Sequence, residues 1–295
     1  MTNPLGWEHY RSLLAVLTEG SLSAAARALG ITQPTVGRHV SALEAAFGQV
    51  LFTRTQTGLV PTDAARALQG YAQSMHNTAA ALEREAFSQG EGVHGTVRIS
   101  ASEIIGVEVL PPALAALRRE HPQLKIELVP TNRVQDLLQR EADVAIRMTP
   151  PQQQALVARH VGQVELGLFA RSDYLDRHGI PATLADLASH TLIGFDEPTP
   201  FLRASAQKFP MWQREAFAFR SDSDLAKWAM LRAGYGIGVC QSALAARDAQ
   251  LQRVLPDAFA LGLDTWVTMH GDLRGSRRCK VVFDALVACL QQHIG

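Results

Sequence analysis

The feature that most constrains this chain is a pair of short helical runs set around a tight glycine turn near the N-terminus. Residues 22–29 read Leu-Ser-Ala-Ala-Ala-Arg-Ala-Leu, with Ala25 and Ala26 small enough to admit another helix at close range, and Gly30 follows at once. The next run begins after Thr32, whose side chain suits an N-cap. Pro34 falls in its first turn, where a missing N–H costs nothing, and Val36, Val40, Leu43 and Phe47 mark the face predicted to be buried. Upstream, Tyr10, Leu13, Leu14 and Leu17 at helical spacing predict a first helix closed by Gly20, after which Ser21 can cap the second. Two short helices joined in this way have the form of a helix-turn-helix.

The third helix has a second face. Gln33, Thr35, Arg38 and His39 place hydrogen-bonding side chains in its N-terminal half, the part of such a helix that meets base edges in a major groove. Leu51-Phe52-Thr53-Arg54 and Thr57-Gly58-Leu59-Val60 then predict a two-stranded wing that carries Arg54 toward a phosphate. Residues 1–90 hold six Arg against six carboxylates, but between Gly20 and Val60 three, Arg27, Arg38 and Arg54, face Glu44 alone. The pattern favours double-stranded DNA as the partner, with phosphate contacts fixing register, and leaves a protein-interaction module open.

From Thr62 to about residue 87 the positions Ala64, Leu68, Tyr71, Met75, Thr78 and Leu82 advance by alternating fours and threes, a heptad seam. Its partner is either the same helix of a second chain or its own domain. Composition changes at 88–95, where Ser-Gln-Gly-Glu-Gly-Val-His-Gly interrupts the helical pattern. The expected division is therefore 1–61, a helical linker 62–88, a hinge 89–94, and a larger domain 95–295. A length of 295 residues agrees with about two domains.

In the larger segment strands are predicted at 96–101, 124–129 and 143–147, with helices at 112–119 and 134–140 between them. The alternation resumes with strands at 165–170, 191–195, 217–219, 237–240 and 265–270 and helices at 223–232 and 277–291. This is an α/β sheet, whose ligands sit at the carboxyl ends of the strands. The strand ends supply Ser100, Ser102, Thr131, Asn132, Arg147, Phe195, Ser221 and Asp222 as candidate cleft residues. Ser102 with the amides after it suits an anion, yet Glu103 beside it repels a simple acid. A neutral or zwitterionic ligand follows, with Arg147 as counter-ion if an acid binds. Ser221 with Asp224 also reads as a variant capping box, and Asn132 as a turn residue.

Other chemistry is sparse. Gly234-Tyr235-Gly236-Ile237-Gly238 follows a helix and leads into a strand, the reverse of a dinucleotide fold, and reads as a helix stop. Cys240, Cys279 and Cys289 form no CxxC and read as small buried apolar residues; Trp212 and Trp228 read as packing residues. No nucleophile motif, metal set or cofactor loop is present, so no cofactor, metal or enzymatic activity is expected. Lys plus Arg is 28 and Asp plus Glu is 28, which excludes a polybasic membrane binder. With no signal peptide and no bilayer-length apolar stretch, a cytoplasmic location is expected.

The run Gly20-Ser21-Leu22-Ser23-Ala24-Ala25-Ala26-Arg27-Ala28-Leu29, then Ile31-Thr32-Gln33-Pro34-Thr35-Val36, Leu43-Glu44, Leu51-Phe52-Thr53-Arg54 and Pro61-Thr62, resembles the LysR-type transcriptional regulators. Weaker likeness extends over 95–102, 110–122, 142–147 and 233–239. Two departures stand out: Gly37 replaces a usual Ser, and Asp63-Ala64-Ala65 replaces a small-Gly pair. The resemblance implies an α+β multidomain chain, a winged helix-turn-helix and linker helix followed by a two-lobed α/β effector domain like periplasmic binding proteins of the second type. Lobe one is expected at about 95–165 and 265–295 and lobe two at about 166–264, joined by two crossing strands. It implies DNA contacts from Ser23, Thr32, Gln33, Pro34, Thr35, Arg38, His39 and Arg54. It also implies a small-molecule effector in the cleft, a homodimer or homotetramer, and room for RNA polymerase as a further partner. A cytoplasmic solute-binding protein without a DNA role is the alternative, weakened by the first 62 residues.

Overall fold

The structure is a computed structural model describing residues 5–55, 58–86, 92–132, 141–151, 155–199, 202–203, 209 and 212–295, the side chains of 84–86 apart. The predicted helix at 134–140 and residues 89–91 of the predicted hinge lie outside the described residues. Contacts divide the chain into two compact units, one of residues 1–86 with 139–141 and one of 87–138 with 142–295.

The first unit contains α1 (Trp7–Glu19), α2 (Leu22–Leu29), α3 (Gln33–Phe47), β1 (Phe52–Thr55), β2 (Gly58–Pro61) and α4 (Asp63–Ala86). Gly20 and Gly30 end α1 and α2 with φ of 71° and 68°, the left-handed conformation glycine adopts without strain. The Ser21 hydroxyl accepts the Ala24 N–H and caps α2 as expected. Leu13, Val16, Ala25, Val36, Leu43 and Leu51 close the core. Phe47 does not join it: at 38% exposure it lies where Gly48 turns the chain away, and Leu51 and Phe52 fill the core beyond Leu43. Glu44 Oε1 accepts the N–H groups of Leu51 (2.8 Å) and Phe52 (3.4 Å), so the local acid fixes the entry to the wing. The wing is antiparallel with Arg54 opposite Leu59, and the Leu59 N–H donates to Gly20 O.

Thr62 Oγ1 accepts the Ala65 N–H at the start of α4. Ala65 and Ala72 are buried, and the rings of Trp7 and His76 stack, so α4 lies along α1 through small residues. The other face of α4 is uncovered, with Tyr71 74% and Leu82 72% exposed and Met75 beside them.

In the second unit the described residues form a nine-stranded sheet from β3 (Gly95–Ala101), β4 (Leu124–Pro130), β5 (Val144–Arg147), β6 (Leu156–Arg171), β7 (Leu192–Gly194), β8 (Phe217–Arg220), β9 (Ile237–Gln241), β10 (Leu251–Val254) and β11 (Leu261–His270). Its helices are α5 (Pro111–Glu120), α6 (Ser172–His178), α7 (Asp224–Arg232), α8 (Ser242–Ala245) and α9 (Arg277–Ile294). The order is β4-β3-β5-β11-β6-β9-β7-β8, with β10 also on β6. β3, β4 and β5 are parallel, as are β7, β8 and β9, while β6 and β11 run antiparallel between them.

The strand expected at 165–170 is the end of the 16-residue β6, whose first part pairs β11 and whose last part pairs β9 and β10. Two cores sit on its two ends. One gathers Val97, Ile99, Val144 and Val267 under Leu286 and Leu290 of α9; the other gathers Leu168, Tyr174, Leu192, Trp212, Phe217 and Ile237. A π-helical turn at Ile105–Val109, unforeseen in the sequence, precedes α5. Gly236 passes so close to Thr191 O that any Cβ would collide, which explains a glycine there without a nucleotide.

Candidate nucleic-acid interface and interlobe cleft

The N-terminal half of α3 carries a connected polar surface. The Thr32 and Thr35 hydroxyls lie 2.8 Å apart, and Arg38 Nη2 donates to Thr35 Oγ1 at 3.3 Å. Thr32 therefore bonds to Thr35 instead of capping a backbone N–H with its side chain. Gln33, Pro34 and Arg38 are exposed, as is Ser41 one turn on, which sequence reasoning passed over although it lies three residues from Arg38 on the same face. Ser23 and Arg27 are exposed on α2, and Arg54 is exposed on the wing.

His39 does not belong with them. Its Nδ1 lies 2.8 Å from Ser12 Oγ and its ring packs 4.8 Å from that of His9, so it faces α1. Burial, then the neighbouring His9, lowers its pKa and favours the neutral ring. Helical geometry accounts for this: His39 follows Val36 by three residues and precedes Val40, on the flank of the buried face.

In the second unit most of the predicted residues fall into two groups. Arg147 Nη1 donates to the buried Ser100 Oγ at 3.3 Å, joining the ends of β3 and β5. Asn132 and Ser221–Ser223 form a second group around Glu103. Asn132 Oδ1 accepts the Glu103 N–H at 3.2 Å, and its Nδ2 donates to Asp222 O at 3.5 Å. Glu103 Oε2 accepts Ser223 Oγ–H at 2.9 Å and the Leu225 N–H at 3.3 Å. The Glu103 carboxylate, just after β3, thus sits on the first turn of α7, where the helix dipole favours negative charge. Asp222 Oδ1 accepts the N–H groups of Asp196 and Glu197, tying a neighbouring loop to the same corner.

Three expectations change here. The amide after Ser102 is bonded to Asn132, so that turn does not offer it to an anion. The cap of α7 is Ser223, whose Oγ accepts the Ala226 N–H, and not Ser221, which instead accepts the Ser223 N–H. Phe195 is buried with its ring 5.1 Å from that of Phe217, a core residue and not a cleft wall. Thr131 continues β4 through a hydrogen bond from its N–H to Ala101 O. Glu103 and Ser223 had a signal in the sequence, a carboxylate after one strand end and a hydroxyl before a helix, but nothing in it paired residues 120 positions apart.

Among the described residues no helix is long and apolar enough to cross a membrane. Residues 7–66 match the family described as bacterial regulatory helix-turn-helix protein, lysR family, and residues 90–291 match the LysR substrate binding domain. The transcriptional regulator CrgA of Neisseria meningitidis serogroup C is 29% identical over 191 residues, 65% of this chain and 64% of that protein, so the match spans under two thirds of that relative's length. The probable transcriptional regulator LtrA of Klebsiella pneumoniae is 27% identical over 92% of this chain and 90% of its own. A solved structure of CrgA aligns with a TM-score of 0.59 at 25% identity, covering 98% of this chain and 99% of that one. With both domains matched in order over most of its length, the chain belongs to the LysR family of bacterial helix-turn-helix regulators.

Proposed function

We propose that this protein is a cytoplasmic, DNA-binding transcriptional regulator whose two-lobed domain senses a small-molecule effector. The observation that carries the reading is the exposed hydrogen-bonded chain Thr32-Thr35-Arg38 on the outer face of α3, together with an exposed Arg54 on the wing, in a domain matched to a regulatory helix-turn-helix family. Gln33, Pro34, Thr35 and Arg38 enter a major groove, with Arg38 donating to a base edge. Ser23, Thr32 and Arg54 hold phosphates on either side. His39 supports α3 from behind.

One such helix contacts too few bases for specificity, and the uncovered apolar face of α4, Tyr71, Met75 and Leu82, supports pairing with the same helix of a second chain. The effector enters the cleft between the lobes, near Ser100 and Arg147 at one side and Asn132, Ser221 and Asp222 at the other. Its binding changes transcription only by favouring one lobe arrangement over another, since equal affinity for both shifts nothing. The domain roles follow: 1–61 for DNA, 62–88 for dimerisation, 95–295 for the effector.

Selection of bound duplexes from a random-sequence pool by the full chain tests this. Recovery of a two-fold related pair of half-sites supports the reading; recovery of no shared sequence, with the chain monomeric, removes it and restores the solute-binding alternative.

A further inference from the structure

The two lobes meet a second time, away from the cleft corner at Glu103, around a histidine. His293 lies in the last turn of α9 and is only 7% exposed. Both its ring nitrogens bond to residues that follow from the other lobe's β9 and α8. Arg247 Nη2 lies 2.9 Å from Nδ1, and Gln241 Oε1 lies 2.9 Å from Nε2. Arg247 Nη1 also donates to Glu108 O, at 3.0 Å, in the π-helical turn of the first lobe. One guanidinium therefore clasps two elements of the first lobe, and Gln241 holds the imidazole from the other side.

Donor and acceptor identities leave one arrangement. A guanidinium has only N–H donors, so Nδ1 must present its lone pair to Arg247. The ring proton is then on Nε2 and donates to Gln241 Oε1. The Arg247 contact at Nδ1 depends on a neutral imidazole, while the bond from Nε2–H to Gln241 does not. A proton on Nδ1 removes the acceptor that Arg247 needs and sets a buried imidazolium directly against a guanidinium that reaches solvent.

We infer that His293 is a pH-sensitive pin between the lobes, holding them together as a neutral imidazole and releasing them when it is protonated. The groups that face it are Arg247 after α8, the neutral Gln241 of β9 and, one turn back on its own helix, the Cys289 thiol, which donates to Val109 O. Glu108 enters through its backbone carbonyl. Arg247 is the charged partner in this set and opposes protonation. Burial, then Arg247, lowers the pKa of His293 from its ordinary 6.5, in the direction the geometry requires. The same Arg247 acts against the rise that burial gives the Cys289 thiol. Acidification of the cell interior thus loosens the lobe junction with no effector present, by a route separate from the cleft.

The test is a titration of full-length protein labelled with 15N-histidine, followed by long-range proton–nitrogen NMR. Hydrogen exchange over 237–247 and 286–294 is measured on the same protein. The inference predicts an Nε2-protonated neutral ring at pH 7.5, a titration midpoint below 6.5, and loss of protection in both segments together as the ring protonates. Arg247→Gln moves the midpoint upward. His293→Gln lowers protection at neutral pH and removes its pH dependence in those segments. A proton on Nδ1 at pH 7.5, or a midpoint at or above 6.5 with protection unchanged through it, overturns the inference. The NMR on the unaltered chain decides even if His293→Gln fails to fold. A histidine that merely fills space gives a less stable His293→Gln variant whose protection depends on pH as before, and that also overturns it.

Discussion

Gly37 occupies the middle of α3 with no backbone demand for glycine: it is helical, and a Cβ added there would meet only Leu22 Cδ1, at an ordinary 3.8 Å. A helix-interior glycine costs roughly 0.5–1 kcal/mol relative to alanine, so Gly37→Ala should raise stability by about that amount in urea unfolding. No gain would mean that α3 is not helical at that point. Glu103 gives a second prediction. It and Ser223 share one hydrogen-bonded corner, so Glu103→Ala and Ser223→Ala should each cost about 1 kcal/mol, and the double variant clearly less than their sum. Strict additivity would show that the two do not interact in solution. At this scale the sequence was informative about types and silent about pairs. Arg38 and Thr35 were legible because three residues in a helix are neighbours. His39 was misread because its polarity drew attention away from its position, one residue from Val40 on the flank of the core.

At the scale of elements, α4 is the clearest case of a helix with two faces. Ala65 and Ala72 let it lie close along α1, while Tyr71, Met75 and Leu82 point away from anything in the chain that is described. A substitution of Leu82→Glu should leave the first unit folded and shift sedimentation toward monomer at micromolar concentration, because a charge at a seam position is buried without a partner. An unchanged sedimentation coefficient would remove α4 as the dimer contact. The heptad spacing showed the exposed Tyr71, Met75 and Leu82, but its first two positions, Ala64 and Leu68, pack against the core of their own unit; the winged helix-turn-helix was visible because capping, glycine turns and apolar periodicity all act within a few residues. β6 was half missed for the opposite reason. Its first part, 156–164, contains Arg159, His160 and Gln163 and does not alternate cleanly; only pairing with β11, about a hundred residues later, makes it a strand. The π-helical turn at Ile105–Val109 has no sequence signal of comparable strength.

For the whole molecule, acid should act before any carboxylate titrates. His39, His190 and His293 each have a pKa lowered chiefly by burial from an ordinary 6.5. Below that value the unfolded chain binds more protons than the folded one, so stability is complete above 6.5 and falls as pH drops through it. The urea midpoint should therefore decline between about pH 6.5 and pH 5. Glu165, held low first by its hydrogen bond from Arg253, adds a further loss only below its ordinary 4.5. A midpoint flat from pH 7 to 5 would contradict the burial of these rings. The change from helices to strands alternating with helices was legible in the sequence pattern. The contacts around Glu103 and His293 were not, since they join residues from 46 to 139 positions apart.

The central claim is that the outer face of α3 reads DNA. The most direct measurement is fluorescence anisotropy of the full chain and of Arg38→Ala on the DNA upstream of its own coding sequence and on random duplex, across a salt series. The account predicts binding that weakens steeply with salt on both DNAs and a clear preference for the specific duplex. Arg38→Ala should lose about 1–3 kcal/mol of that preference and much less of the random-duplex affinity. Equal losses on both DNAs would reduce Arg38 to a phosphate contact. Specific binding untouched by Arg38→Ala would contradict the placement of α3 in the groove.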